Sequence, residues 1–507
     1  MGALLACLAG AASAQTPPDS NATLVYYNAS GNQTLDPAEP QNNSSYAHDT
    51  LLAVYDPLIR LRDDGTPAPG LAESWSRDDA LTTLTLKLRP AVKFHDGAVL
   101  DAQLVARNFE RQVSLGKKAN SGVRETVDAL EAVDILDPLT IRLRFKAPNG
   151  QIETWLGGPS GMMLSPAAFA DGAFGAGIKP LGAGPYRVKS FESNVRMIAE
   201  RFDAYWGGTA GRPAGFEHHY VPDGRARLNA VRSGQATVAL LDSRQVPEAR
   251  SAGMTVQAND KNAFWVLYFN KTRAHGDDVR VRQAFMYAID REALAEALTF
   301  GTSQPARQLF AKSSPLHVHA LDGLYKFDPP KARALMAEAG LKSGLDVSML
   351  LLNNSEFRPL AEALQSMLGD VGIRLTFDPV DVSQFTAFFL PPPRGDAMLG
   401  RYGGRADPLQ MLYELVGDGG PFSPGGSKAP ELDRLIQKAK TMAASDPARL
   451  ETLRALAAAI SEHAALVPVM TRANVYAFKP GCVTGLSAYL PGGADRFNDV
   501  QIGAKCR

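Results

Sequence analysis

YFNKTRAHGDDVRVRQAFMYAIDREAL, residues 268–294, is the stretch from which the fold class can be read. A strand ends at Asn270, and Val281, Ala284, Phe285, Ala288 and Ile289 then recur at helical spacing, the pattern of a helix with one buried face. A strand passing directly into a helix is the unit of an α/β fold. The same alternation extends in both directions. Upstream, Leu84, Leu86 and Leu88 alternate with Thr85 and Lys87 and predict a half-buried strand closed by Pro90. Ile141, Leu143 and Phe145 repeat that pattern before Pro148. Downstream, Asp328-Pro329-Pro330 opens a helix that Gly340 ends. Leu360, Leu364, Met367, Leu368 and Val371 form another apolar stripe ended by Gly372, and Ile373, Leu375 and Phe377 follow as a strand. Ser445-Asp446-Pro447 starts a last long helix through Leu450, Leu453, Ala457 and Ile460.

With 507 residues the chain exceeds what one hydrophobic core supports, so two or three compact units are expected. Lys plus Arg equals Asp plus Glu, 53 each, and no block of five or six basic residues occurs. Nucleic acid is therefore not an expected partner. No uncharged apolar run is long enough to cross a bilayer. The N-terminus, MGALLACLAGAASAQTPP, is small and apolar up to Ala12-Ser13-Ala14 and polar from Gln15. It predicts a signal peptide over residues 1–14, although no Lys or Arg precedes the apolar stretch. Leu4-Leu5-Ala6-Cys7 is the alternative, a lipoprotein box with an unusual Leu5. Export leaves Cys482 and Cys506 as two thiols in an oxidising compartment, and a disulfide between them is expected.

Constellations for catalysis are not visible. Of the eight histidines only His218-His219 and His317-x-His319 lie close together, and they read as solvated loop residues without a ligand cluster. Gly158-Pro159-Ser160-Gly161 is one residue short of a nucleophile elbow. The glycines between Gly172 and Gly184 have neither the spacing nor the lysine of a phosphate loop. Neither a metal nor a cofactor is expected, and an enzyme would need a site assembled from distant residues.

Six segments in order resemble the extracellular solute-binding proteins that serve peptide and nickel importers. They are residues 55–75 (YDPLIRLRDDGTPAPGLAESW), 92–109 (VKFHDGAVLDAQLVARNF), 182–208 with GAGPYRV and AYWGG, 268–294, the turn from Gly369 to Phe377, and Asp407-Pro408. Gly182, Gly184 and Pro185 read as shaping a turn, and Trp206 and Phe285 as core. The resemblance spans roughly residues 20–470. It implies an α/β, two-lobed periplasmic binding protein of the Venus-flytrap, cluster C type, with an extra subdomain on lobe I. Lobe I would hold residues 15–260, the subdomain lying around 50–170, and lobe II residues 261–474. Residues 475–507 would return to lobe I as a tail, and the chain would cross between lobes near 258–266 and 470–477. The implied function is that of a monomeric receptor in the periplasm. It would deliver a small ligand to an ABC permease and ATPase complex in the inner membrane. A binding or signalling module on the same scaffold without transport is the alternative.

Residues 401–408, RYGGRADP, bear on the ligand. Peptide-binding relatives resemble Trp-x-x-Asp-x-x-Asp-Pro here, and the first Asp holds the peptide ammonium. In this chain Tyr402 is the aromatic, the tract before Asp407 is one residue shorter, and Arg405 stands where that acid would be. The shorter tract resembles the nickel branch, yet residues 409–440 contain no histidine. The expected ligand residues are Arg405, Arg401, Tyr402, Asp407 and Trp265. A short peptide or a carboxylate-bearing small molecule would be read by the guanidinium of Arg405.

Overall fold

The computed structural model describes residues 18–506, apart from 44, 64, 313, 354–355, 382–383, 385–386, 406, 445 and 489–494. The signal peptide or lipoprotein box expected at the N-terminus lies outside the described residues. No helix among them is long and apolar enough to cross a membrane.

A ten-stranded sheet runs through the whole molecule. Its order is Ile373–Val380, Leu345–Leu352, Ala397–Tyr402, Thr255–Phe269, Val467–Phe478, Val238–Leu241, Thr23–Asn28, Gly215–Tyr220, Arg196–Arg201 and Tyr186–Glu192. The two central strands, Thr255–Phe269 and Val467–Phe478, are long enough to serve both halves. Residues 255–260 pair with 473–478 and residues 264–267 with 467–471, the register shifting between Asp260 and Phe264. The protein is two-lobed, one lobe on each half of this sheet, and each half is covered on both faces.

Double coverage explains the unbroken apolar run Ala263 to Phe269. Side chains alternate across a strand, so Trp265, Leu267 and Phe269 enter one core while Phe264, Val266 and Tyr268 enter another. Helix Val279–Ala288 lays Val281, Ala284, Phe285 and Ala288 into the first core. Helices Pro408–Val416, Pro430–Lys440 and Pro447–Glu462 cover the second. In the other half Tyr476 and Phe478 face one core, and Val475 and Ala477 another. A separate antiparallel sheet, Ala72–Arg77, Thr83–Leu88, Thr140–Phe145 and Leu130–Asp137, packs Leu84, Leu86 and Leu88 against Leu104, Val105 and Phe109 of helix Ala102–Leu115.

Helix starts follow their sequence signals. Asp328, Asp407 and Asp446 each precede a proline, and each carboxylate accepts a hydrogen bond from a first-turn N–H. Proline at that position has no amide to leave unpaired.

Some local readings gain detail, and that of His218 and His219 needs correction. Gly182 and Gly184 serve close approach: a Cβ at either would meet the backbone of Val54 at 2.1 and 2.6 Å. Trp206 is half-buried, with the guanidinium groups of Arg60 and Arg89 4.4 and 4.3 Å from its ring centre and Nε1 donating to Asp56 at 2.7 Å. His218 and His219 belong to strand Gly215–Tyr220 and not to a loop. Pairing with Thr23–Asn28 buries His218, and burial, then the neighbouring His219, pushes its pKa down to about 4.

At the C-terminus Cys482 and Cys506 are joined in a disulfide with Cα atoms 4.9 Å apart. Between them Val483–Thr484 pairs with Gln501–Ile502. Phe497 of this tail stacks on Tyr26, their ring centres 4.3 Å apart.

Candidate functional site

Strand Ala397–Tyr402 lies against Thr255–Phe269 with Phe264 opposite Tyr402 and Trp265 opposite Arg401. Alternation therefore sends Tyr402 and Arg401 to opposite faces. Past the strand, Gly404 turns the chain at φ +74°, a conformation other residues adopt at a cost. Arg405 follows, and Asp407 caps helix Pro408–Val416 by accepting from Leu409 N at 2.8 Å. That cap sets the helix so that Gln410 and Glu414, four residues apart, share a face.

Around this turn a polar network forms. Arg405 presents its fork to Glu414, with Nε to Oε1 and Nη2 to Oε2 both at 2.9 Å. Tyr402 donates its hydroxyl to Glu414 Oε2 at 2.7 Å. Its ring lies 5.3 Å below the guanidinium. Gln410 Nε2 donates to Glu414 Oε1 at 3.3 Å and to Glu125 Oε2 at 2.7 Å. Glu125 lies on helix Ser121–Ala129, which leads into the smaller antiparallel sheet. The Gln410–Glu125 contact thus joins segments 285 residues apart.

The charges in this network are unequal. Two carboxylates, Glu125 and Glu414, face one guanidinium. Burial, then the negative charge of Glu414, pushes the Glu125 pKa up to about 7, against the pull of Arg405. His48, on helix Ser45–Val54, feels the charge of Arg405 as well. Burial and then Arg405 push its pKa down to about 4, and its Nε2 is buried without a hydrogen-bond partner. A neutral imidazole with an unmatched polar atom therefore lies within the electrostatic reach of the cationic side chain.

Of the residues singled out from sequence, the structure brings Tyr402 and Arg405 together and places the others elsewhere. Arg401 reaches Glu356 at 2.7 Å on the opposite face. Trp265 is 6% exposed and packs edge-on against Phe357, ring centres 4.9 Å apart. The Asp407 carboxylate faces the interior, capping the helix and pairing with Arg449 at 2.7 Å. Sequence reading missed Glu125, Glu414, Gln410 and His48. The i, i+4 spacing of Gln410 and Glu414 behind Asp407-Pro408 was a usable signal. Glu125 and His48 gave none, because only the fold brings them here.

This two-lobed frame is that of a ligand-binding receptor, and comparison with known proteins agrees. The profile of the bacterial extracellular solute-binding proteins, family 5 (middle), matches residues 66–422. Glutathione-binding protein GsiB of Pectobacterium atrosepticum is 28% identical over 364 residues, 70% of this chain and 68% of that protein. NikA from Brucella suis, solved in complex with Fe(III)-EDTA, superposes with a TM-score of 0.84 at 22% identity, covering 95% of this chain and 100% of that one. DppA from Helicobacter pylori, solved with the peptide STSA, superposes with a TM-score of 0.80 at 20% identity, covering 96% and 99%. The chain belongs to the bacterial extracellular solute-binding proteins, family 5. It is a substrate-binding receptor of an ABC importer, capturing a small ligand.

Proposed function

We propose that this receptor works in the periplasm, without catalysis, and closes its lobes on a small zwitterionic ligand such as a short peptide. One observation carries the reading: Glu125, on the helix before the smaller sheet, accepts from Gln410, which also donates to Glu414, the partner of Arg405; in this reading the two sides of that contact belong to different lobes. An ammonium group entering between Glu125 and Glu414 would balance the surplus negative charge and relieve the strain that raises the Glu125 pKa. Arg405, held by Glu414 and stacked on Tyr402, keeps N–H groups for a ligand carboxylate, its side chain being 25% exposed. Names among the relatives point the same way, to glutathione for GsiB and to a peptide for the DppA structure. The lobes would hinge on the two central strands, where the pairing register shifts between Asp260 and Phe264.

Native mass spectrometry of protein purified without refolding identifies what it carries. Calorimetry then compares glutathione and short peptides with their N-acetylated and C-amidated forms. Both modifications should weaken binding, and Arg405→Ala should weaken it by about 2–5 kcal/mol, the usual effect of truncating one partner of a buried charge pair. Equal affinities for parent and Arg405→Ala protein would remove Arg405 from the site. Indifference to N-acetylation would remove the ammonium.

A further inference from the structure

Away from the network around Arg405, the structure brings His317, His319 and Asp322 together, with one potential ligand atom from each lying within 4.8 Å of the others. We infer that these three side chains form a divalent-metal site, suited to a borderline ion such as Zn²⁺, Ni²⁺ or Cu²⁺.

Local structure makes the cluster. Residues 319–321 form a 3₁₀ turn, and Asp322 N donates to His319 O at 3.1 Å. With three residues per turn, positions i and i+3 eclipse, so His319 and Asp322 stand one above the other. His317 precedes the turn and folds back until its ring centre is 4.9 Å from that of His319. Two side-chain hydrogen bonds from Gln308 hold the backbone of the intervening Val318, at 3.0 and 3.1 Å. Leu316 is buried in the adjoining core, and Arg454 donates to Pro315 O at 2.6 Å. The loop is built, not loose.

The orientation of His317 supplies the chemical argument. Its Nδ1 donates to the backbone carbonyl of Phe310 at 2.9 Å, which leaves Nε2 facing the Asp322 carboxylate at 2.6 Å. A main-chain carbonyl holding one ring nitrogen is what orients metal-bound imidazoles, and an ion would take the place of the contact between the other nitrogen and Asp322. His319 offers Nδ1 3.6 Å from the second oxygen of Asp322, and its side chain is 74% exposed and free to swing inward. An ion bonded at about 2.0–2.2 Å would draw His319 in and part His317 from Asp322 slightly. Two imidazoles and one carboxylate select a borderline transition ion over Mg²⁺ or Ca²⁺, which take oxygen. Lys312 is the neighbouring positive charge that opposes the ion. The sequence reading set these histidines aside as solvated loop residues without a ligand cluster. The carboxylate that completes the cluster, Asp322, is brought up by the 3₁₀ turn that begins at His319.

The test uses full-length, tag-free protein stripped with a chelator and titrated with Zn²⁺, Ni²⁺ and Mg²⁺ in a calorimeter. One equivalent of Zn²⁺ or Ni²⁺ should bind, and Mg²⁺ should not. His319→Ala and Asp322→Asn should each weaken binding about tenfold or more, and His319→Ala, at a side chain 74% exposed, should leave the melting temperature without metal unchanged. Zn²⁺ should shift the imidazole resonances of His317 and His319 and spare the other histidines. Retention of binding in Arg405→Ala separates this site from the proposed ligand site. No binding by the parent protein, full binding by both variants, or loss of binding in Arg405→Ala would each overturn the inference.

Discussion

Glu125 is the residue whose chemistry is most displaced from its ordinary state. Its carboxyl value is raised from 4.5 to about 7 by burial and then by Glu414, with Arg405, Gln410 and Arg124 pulling the other way. Between those two values the folded protein binds more protons than the unfolded chain, so stability falls as pH rises across that window. Glu125→Gln should therefore raise the melting temperature at pH 8 and leave it unchanged at pH 4, as read by calorimetry at both. A carboxylate freed of its strain by a ligand ammonium also loses its proton. Binding near pH 7 should release protons, seen as a heat that varies with the ionisation enthalpy of the buffer. Asp407 presents the opposite case, fully buried, paired with Arg449 and accepting from Leu409 N. Asp407→Ala leaves Arg449 buried without its carboxylate, a change that typically costs about 3–5 kcal/mol. Urea unfolding should show that loss, and a variant as stable as the parent would contradict the pairing.

At the level of elements, legibility depended on what sets each boundary. Strand Thr83–Leu88 and helix Pro329–Glu338 could be read because period and capping act over a few neighbouring residues. His218 and His219 were misread as loop, since the strand that buries them lies almost two hundred residues upstream. The candidate site divides the same way. Tyr402 and Arg405 sit in one contiguous tract, while the acid facing them arrives on helix Ser121–Ala129 through a contact no local pattern announces. Arg401 and Trp265 share that tract and its partner strand, yet a period of two turns them to the other face. Helix Pro408–Val416 links the two kinds of information: Asp407 fixes where it begins, and its start fixes where Gln410 and Glu414 point.

For the whole molecule, ligand-driven closure should reduce the radius of gyration. Small-angle scattering of protein saturated with its ligand should report a more compact particle than protein without it, and superimposable profiles would count against closure. The continuous sheet also bears on how the protein comes apart. Strand Val467–Phe478 hydrogen bonds to Val238–Leu241 along one part of its length and to residues 264–267 along another. Melting either half would strip ladder partners from a strand the other half still needs, leaving buried amides unmatched. Heat or denaturant should therefore dismantle both lobes in one cooperative transition. A weakening substitution in one lobe then shortens the life of the other, and neither lobe offers a protease an independently unfolded intermediate.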